Sequence, residues 1–215
     1  DKVVDDHLSD LVSGIDRSES DFIFIGGSEV EDGRTDQVVG ILNQLTKLPL
    51  IIFPGDISQI TSKADAILFL SLVSGRNPDY LIGKHVEAVP KLQKSGLEVI
   101  STAYILIENG KETGVQRVSG TLPMKRSEVN AIVNTAKAAE YLGMQLIYIE
   151  AGSGANTPVP ESIIRSVRQA VDCPLIVGGG IRNPEQLKAA YKAGADLVVI
   201  GTAIEKDPAM LTEFR

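Results

Sequence analysis

The sequence predicts an α/β fold of the (β/α)8 TIM-barrel class, on three observations. Short β-branched apolar runs alternate with helix-like stretches along the whole chain. No Pro/Gly-rich linker interrupts that alternation. Glycines cluster just after the strand-like runs, above all the last two. Alternating strands and helices mean βα units and a parallel sheet covered on both faces.

The strand runs are 22–25, 50–53, 66–70, 98–104, 146–149, 175–177 and 197–200. Helix-like stretches occupy 5–14, 35–45, 79–94, 127–142, 160–171 and 184–193. Ser127 and Glu128 open the 127–142 helix, and Gly143 stops it. Asn183-Pro184 starts the 184–193 helix, with proline where its missing N–H costs nothing, and Gly194 ends it. A closed barrel requires eight strands. The expectation is therefore a single domain over residues 1–215 whose first strand is absent from this chain.

Composition narrows the function. Hydrophobic residues are 43% and charged residues 23%, the balance of an ordinary globular protein. The formal net charge of −7 argues against non-specific binding to nucleic acid or anionic lipid, both of which select Lys and Arg. The longest apolar run, 66–73, is too short to span a bilayer, so no transmembrane segment is expected. The single cysteine, Cys173, forms no internal disulfide; it reads as a packing residue and suits a reducing cytoplasm. His7 and His85 lack metal-ligand partners at useful spacing.

In a barrel, chemistry gathers at the C-terminal ends of the strands. Those positions here are Gly26-Gly27-Ser28, Pro54-Gly55-Asp56, 71–77, 150–154, Gly178-Gly179-Gly180 and Gly201-Thr202. Glycine lets a ligand approach the backbone, and fanned N–H groups bind an anion without positive side chains. The turns at Gly179-Gly180 and Gly201-Thr202, after the last two strands, fit a phosphate grip. In Gln145 to Glu150 the side chains alternate: Ile147 and Ile149 share one face, Tyr148 and Glu150 the other. The apolar face suits the helix layer. Tyr148 and Glu150 then point inward, and a carboxylate at the rim could take a proton from a substrate hydroxyl. A salt-bridged structural glutamate is the bland reading. Asp56 suits a helix cap. Arg76 suits either a diphosphate grip or a solvated loop.

Several segments, in order, carry a family resemblance: Ile25-Gly26-Gly27-Ser28, the run from Ser74 to Gly83, Tyr148-Ile149-Glu150-Ala151-Gly152-Ser153-Gly154-Ala155, Gly178-Gly179-Gly180-Ile181-Arg182 and Gly201-Thr202. Together they resemble the geranylgeranylglyceryl phosphate synthase family, which is related to bacterial heptaprenylglyceryl phosphate synthase. The Gly-Ser-Gly-Ala extension is similar to the second of its two sequence groups.

The resemblance implies a magnesium-dependent prenyltransferase that joins a prenyl diphosphate, geranylgeranyl by the group likeness, to the C3 hydroxyl of sn-glycerol 1-phosphate. It implies Glu150 as the base, with Tyr148 beside it. Tyr148, Ile149, Glu150, Ala151, Gly152, Ser153, Gly154, Gly179, Gly180, Gly201 and Thr202 then form the glycerol-phosphate site, and Ser28 contacts Mg2+. A prenyl groove is expected past Tyr104 and the 71–80 region. A homo-oligomer is implied. Asp1-Lys2 resembles the residues after the family's Asp-Pro motif, whose Asp binds magnesium; that Asp would lie before this chain. Two alternatives remain: another phosphate-binding barrel enzyme, such as a sugar-phosphate isomerase, and a non-catalytic barrel that binds a phosphorylated metabolite.

Overall fold

A computed structural model describes residues 5–214 of the chain, with the side chains of 5–7 excluded. The Asp1-Lys2 reading and the His7 side chain lie outside the described residues. The described residues fall into two compact units. One comprises the described parts of Asp1–Phe69, Ile82–Ile100 and Ile204–Arg215; the other comprises Leu70–Leu81 and Ser101–Ala203.

The elements follow chain order: α1 (Asp5–Ile15), β1 (Ile23–Ile25), α2 (Arg34–Leu45), β2 (Leu50–Ile52), β3 (Ala66–Leu72), α3 (Lys84–Ser95), β4 (Glu98–Leu106), α4 (Gly114–Ser119), α5 (Val129–Tyr141), β5 (Leu146–Glu150), α6 (Glu161–Ala170), β6 (Leu175–Gly178), α7 (Pro184–Ala193), β7 (Leu197–Val199) and α8 (Thr202–Lys206). Each of the seven strand runs read from the sequence forms a strand.

In the first unit β1 pairs parallel with β2, Ile23 opposite Leu50 and Ile25 opposite Ile52, and β2 pairs parallel with β3. Its apolar clusters join Val38, Val39 and Leu42 of α2 to Ile25 and Leu50, and Ala88 and Leu92 of α3 to Ile52 and Ile67. Asp56 caps the short helical turn Ile57–Gln59 by accepting a hydrogen bond from Ser58 N at 3.2 Å, as its residue type suggests.

In the second unit β4, β5, β6 and β7 pair in parallel. The register sets Leu106 opposite Glu150 and Glu150 opposite Gly178. Ile147 and Ile149 are wholly buried among Ile132 and Ala136 of α5 and Ile163, Ile164 and Val167 of α6. Each buried isoleucine of this kind contributes roughly 1.5–3 kcal/mol, so this apolar layer fixes which way β5 faces. The alternate face, with Tyr148 and Glu150, must point the other way. Cys173 packs at the edge of the same core, where burial pushes its thiol up to about 11 and leaves it a poor nucleophile.

Helix ends explain the boundaries. Asn183 accepts from Gln186 N at 2.9 Å, Pro184 occupies the first turn, and Gly194 takes a left-handed conformation. Two expectations need correction. The 79–94 stretch is not one helix: a wide π-type turn, Asp79–Gly83, precedes α3. Within this turn the Leu81 carbonyl accepts a hydrogen bond from the Ser71 hydroxyl at 2.8 Å. The helix expected from Ser127 starts at Val129, and Glu128 at its N-cap makes no side-chain cap.

Candidate active site

The centre of the site is Glu150, the last residue of β5. It is 7% exposed, and burial raises its carboxyl above the ordinary value, against hydrogen bonds from Tyr148 and Tyr104 that lower it. Its Oε2 is fully buried and, among the described residues, has no hydrogen-bond partner. The two tyrosines are themselves buried, with ring centroids 5.5 Å apart in an edge-to-face arrangement. Burial first, and the Glu150 charge second, drives both phenols well above their ordinary value, so both are neutral proton donors. Among the described residues, the groups that act on Glu150 are the two tyrosines. A neutral hydrogen-bonded cage with one vacant carboxylate oxygen is suited to accepting a proton from a hydroxyl group.

The chain leaves β5 through Ala151-Gly152-Ser153-Gly154. Ala151 N donates to Gly178 O at 3.1 Å, so this turn lies against the end of β6. There Gly179 adopts φ 78°, and a Cβ on it would come within 2.7 Å of Gly152 N and 2.9 Å of Gly152 O. Only glycine meets both demands. Gly180 is equally close to the backbone of Thr157 and Pro158. Ser153 Oγ lies 3.4 Å from Thr202 Oγ1, which joins the 151–154 turn to the Gly201-Thr202 turn at the start of α8. The structure thus gathers Glu150 and the three glycine turns at one end of β5, β6 and β7. Ile149 and Ala151 turn their side chains into the core, so they can serve a ligand only through the main chain.

A loop that the sequence reading did not single out completes this end. The buried Asn109 side chain donates from Nδ2 to Ala151 O and accepts from Lys111 N at 3.1 Å. Thr113 Cγ2 fills the space beside Gly152, and Lys111 Nζ stands 3.3 Å from where a Gly154 side chain would begin. Thr113 also opens α4 with a reciprocal capping box to Gln116. Its Thr-x-x-Gln spacing is a sequence signal for α4 and for this loop.

The remaining predicted residues are placed as follows. Arg76 is exposed, and its Nη1 donates to Val73 O at 2.9 Å and Gly75 O at 2.6 Å, holding its own loop. Asn77 Nδ2 donates to Ser119 O at 2.7 Å. Tyr104 is 4% exposed, and its ring lies edge-to-face with that of Tyr148. Asp56 is ion-paired with Lys84; burial pushes its carboxyl up, but the hydrogen bonds from Lys84 and Ser58 outweigh that cost and hold it below its ordinary value.

In the first unit, Ser28 is half-buried after Gly26-Gly27. The buried Gln59 side chain donates to Gly27 O at 2.8 Å and accepts from Gly55 N at 3.2 Å, fixing the turns after β1 and β2. Among the described residues, no group of three or more His, Cys, Asp or Glu side chains could hold a metal. Magnesium needs few protein ligands, because it keeps waters and takes phosphate oxygens of its substrate. A single serine hydroxyl on a fixed turn fits that limited role.

A family model described as the PcrB family matches residues 4–215. The chain belongs to the PcrB family. Its curated relatives include the geranylgeranylglyceryl phosphate synthase of Flavobacterium johnsoniae, 56% identical over 96% of this chain and 85% of that protein. The protein of the same name from Pyrococcus furiosus is 45% identical over 87% of this chain and 74% of its own length. Among solved structures, (S)-3-O-geranylgeranylglyceryl phosphate synthase from Thermoplasma acidophilum, in complex with sn-glycerol 1-phosphate, superposes with a TM-score of 0.89 at 36% identity, covering 96% of this chain and 83% of that one. The (β/α) barrel class expected from the sequence is thus the fold of this PcrB-family chain.

Proposed function

We propose that this chain is a geranylgeranylglyceryl phosphate synthase: a prenyltransferase that forms an ether between a prenyl diphosphate, geranylgeranyl in this reading, and the C3 hydroxyl of sn-glycerol 1-phosphate. Relatives bearing that name at 56% and 45% identity support the reaction class. The observation that carries the chemistry is the vacant, buried Oε2 of Glu150 beside the glycine turns.

In this reading the 152–154, Gly179-Gly180 and Gly201-Thr202 turns hold the phosphate end of sn-glycerol 1-phosphate through main-chain N–H groups, with Ser153 and Thr202 adding hydroxyls. That placement brings the C3 hydroxyl to Glu150. Its Oε2 takes the hydroxyl proton as the oxygen attacks the allylic carbon. The carbon–oxygen bond to diphosphate breaks, and diphosphate leaves with the electron pair. Tyr148 holds the carboxylate in place. When bound, Mg2+, with Ser28 among its oxygen ligands, supplies neutralising charge for the departing diphosphate.

The chain acts here as a single phosphate-binding barrel domain, a homo-oligomer in the cytoplasm with no nucleic-acid partner. Among the described residues no helix is long and apolar enough to cross a membrane.

The test is Glu150→Gln, which keeps the shape and removes the base. Calorimetry should show sn-glycerol 1-phosphate bound within about twofold of wild type, while turnover falls by roughly 10²-fold or more. Turnover at the wild-type rate would remove Glu150 from the mechanism.

A further inference from the structure

Pairing of β4 with β5 sets Leu106 opposite Glu150, and one step further Ile107 N donates to Glu150 O at 2.7 Å. The next carbonyl, Ala151 O, accepts from a side chain, that of Asn109. Asn109 is 6% exposed, and both ends of its amide are engaged. Nδ2 donates to Ala151 O, and Oδ1 accepts from Lys111 N at 3.1 Å. One buried side chain thus joins the loop that carries Lys111 to the turn that follows Glu150.

A peptide unit is planar and trans, so its C=O and N–H point in opposite directions. By holding Ala151 O, Asn109 also fixes the Gly152 N–H on the far side of the same unit. Gly152 N lies 2.7 Å from where a Gly179 Cβ would begin, so this N–H group borders the Gly179 turn. Gly152 has φ 93° and no side chain of its own to hold that peptide in one orientation. The Asn109 amide supplies the restraint.

We propose that Asn109 is a positioning residue of the phosphate site: it turns the Ala151–Gly152 peptide so that the Gly152 N–H is presented to the phosphate of sn-glycerol 1-phosphate. A main-chain donor aimed in advance binds an anion without reorganising first. The proposal rests on the reading of that substrate above, but its contact lies within the protein and its phosphate arm is tested without the prenyl donor.

Alanine precedes glycine at two places in the chain, Ala151-Gly152 and Ala193-Gly194. Carbonyl-13C alanine with 15N glycine therefore isolates two amide resonances. Gly194 N donates to Tyr191 O at 2.9 Å at the end of α7 and is the internal control. Ala193→Ser, which removes its labelled pair, tells the two apart. On titration of wild type with inorganic phosphate, the Gly152 amide proton should move downfield while that of Gly194 stays still.

Asn109→Leu keeps the volume and removes both hydrogen bonds. Its Kd for inorganic phosphate and for sn-glycerol 1-phosphate should rise by roughly tenfold or more, the scale of one hydrogen bond to a charged group. Its KM for geranylgeranyl diphosphate should change less than twofold. Gln116→Ala breaks the capping box of the same loop and leaves the Asn109 contact; its thermal midpoint should fall with phosphate affinity within twofold of wild type. A Gly152 resonance that ignores bound phosphate overturns the proposal, and this result needs only wild type should Asn109→Leu not fold. Phosphate affinity within twofold of wild type in Asn109→Leu overturns it too, as does an equal loss in Gln116→Ala, which is the mark of a loosened loop. Wild type that binds phosphate but transfers no prenyl group defeats the prenyltransferase reading alone, and the Gly152 titration still decides the role of Asn109.

Discussion

The Tyr148 hydroxyl occupies the space where a side chain at Gly178 would begin. The two residues sit on adjacent strands, and Gly178 is also the register partner of Glu150. The absence of one Cβ on β6 therefore makes room for the phenol that holds the carboxylate.

Gly178→Ala should displace that phenol. We expect a loss of roughly 1–3 kcal/mol in stability from overpacking, read as a lower denaturant midpoint. We also expect kcat to drop by about tenfold, the equivalent of one catalytic hydrogen bond near 1.4 kcal/mol. Gly201→Ala is the folding control: nothing lies within 4 Å of a Cβ there, so its stability should stay within about 0.5 kcal/mol of wild type.

Gly179→Val should act on binding. The new side chain would force the Gly152 backbone away while straining a residue at φ 78°. The KM for sn-glycerol 1-phosphate should rise by roughly tenfold or more, since a left-handed valine alone costs about 1–2 kcal/mol. Wild-type affinity by calorimetry would contradict the phosphate grip.

Lys111 is exposed beside Gly154, a cation near a proposed anion site in an acidic protein. Lys111→Met should raise KM for sn-glycerol 1-phosphate by roughly fivefold, the scale of one exposed ion contact, with little change in kcat. Added salt should weaken binding less in the variant than in wild type.

The pH dependence of stability follows from the raised carboxyl of Glu150. A group whose folded pKa exceeds its unfolded value stabilises fully below the unfolded value, near 4.3 for glutamate. That contribution is lost as pH rises through the folded pKa, where the buried group must ionise. Glu150→Gln never ionises. Its thermal midpoint should therefore exceed that of wild type at pH 8, and the gap should shrink as pH falls toward 4.5. A gap that widens on acidification would contradict the assigned direction. Over the same window wild-type turnover should fall with pH as the base becomes protonated.

How much of this is legible in the sequence depends on how local its cause is. The alternation in Ile147-Tyr148-Ile149-Glu150 gives both the strand and its facing, because apolar burial on one side dictates it. The glycine turns are legible as turns, and Gly179 proves to need both its positive φ and its missing side chain. The π-type turn at Asp79–Gly83 is not legible: the Leu81 carbonyl within it accepts from a hydroxyl ten residues earlier, a contact that no local pattern marks. Asn109 and Gln59 escape for a similar reason: each acts through a partner 32 to 42 residues away in the chain, Gln59 on Gly27 and Asn109 on Ala151. The capping box of Thr113 and Gln116 is the exception, a local signal that marks the loop carrying Asn109 and Lys111.

Transfer of label from radiolabelled sn-glycerol 1-phosphate into a lipid-soluble product, with geranylgeranyl diphosphate and magnesium, tests the central claim most directly. The prediction is one labelled ether product per diphosphate released, lost on adding a chelator and restored by magnesium. No labelled product from folded protein that binds sn-glycerol 1-phosphate, with geranylgeranyl or longer donors, would contradict the assignment and leave a phosphate-binding barrel without this chemistry.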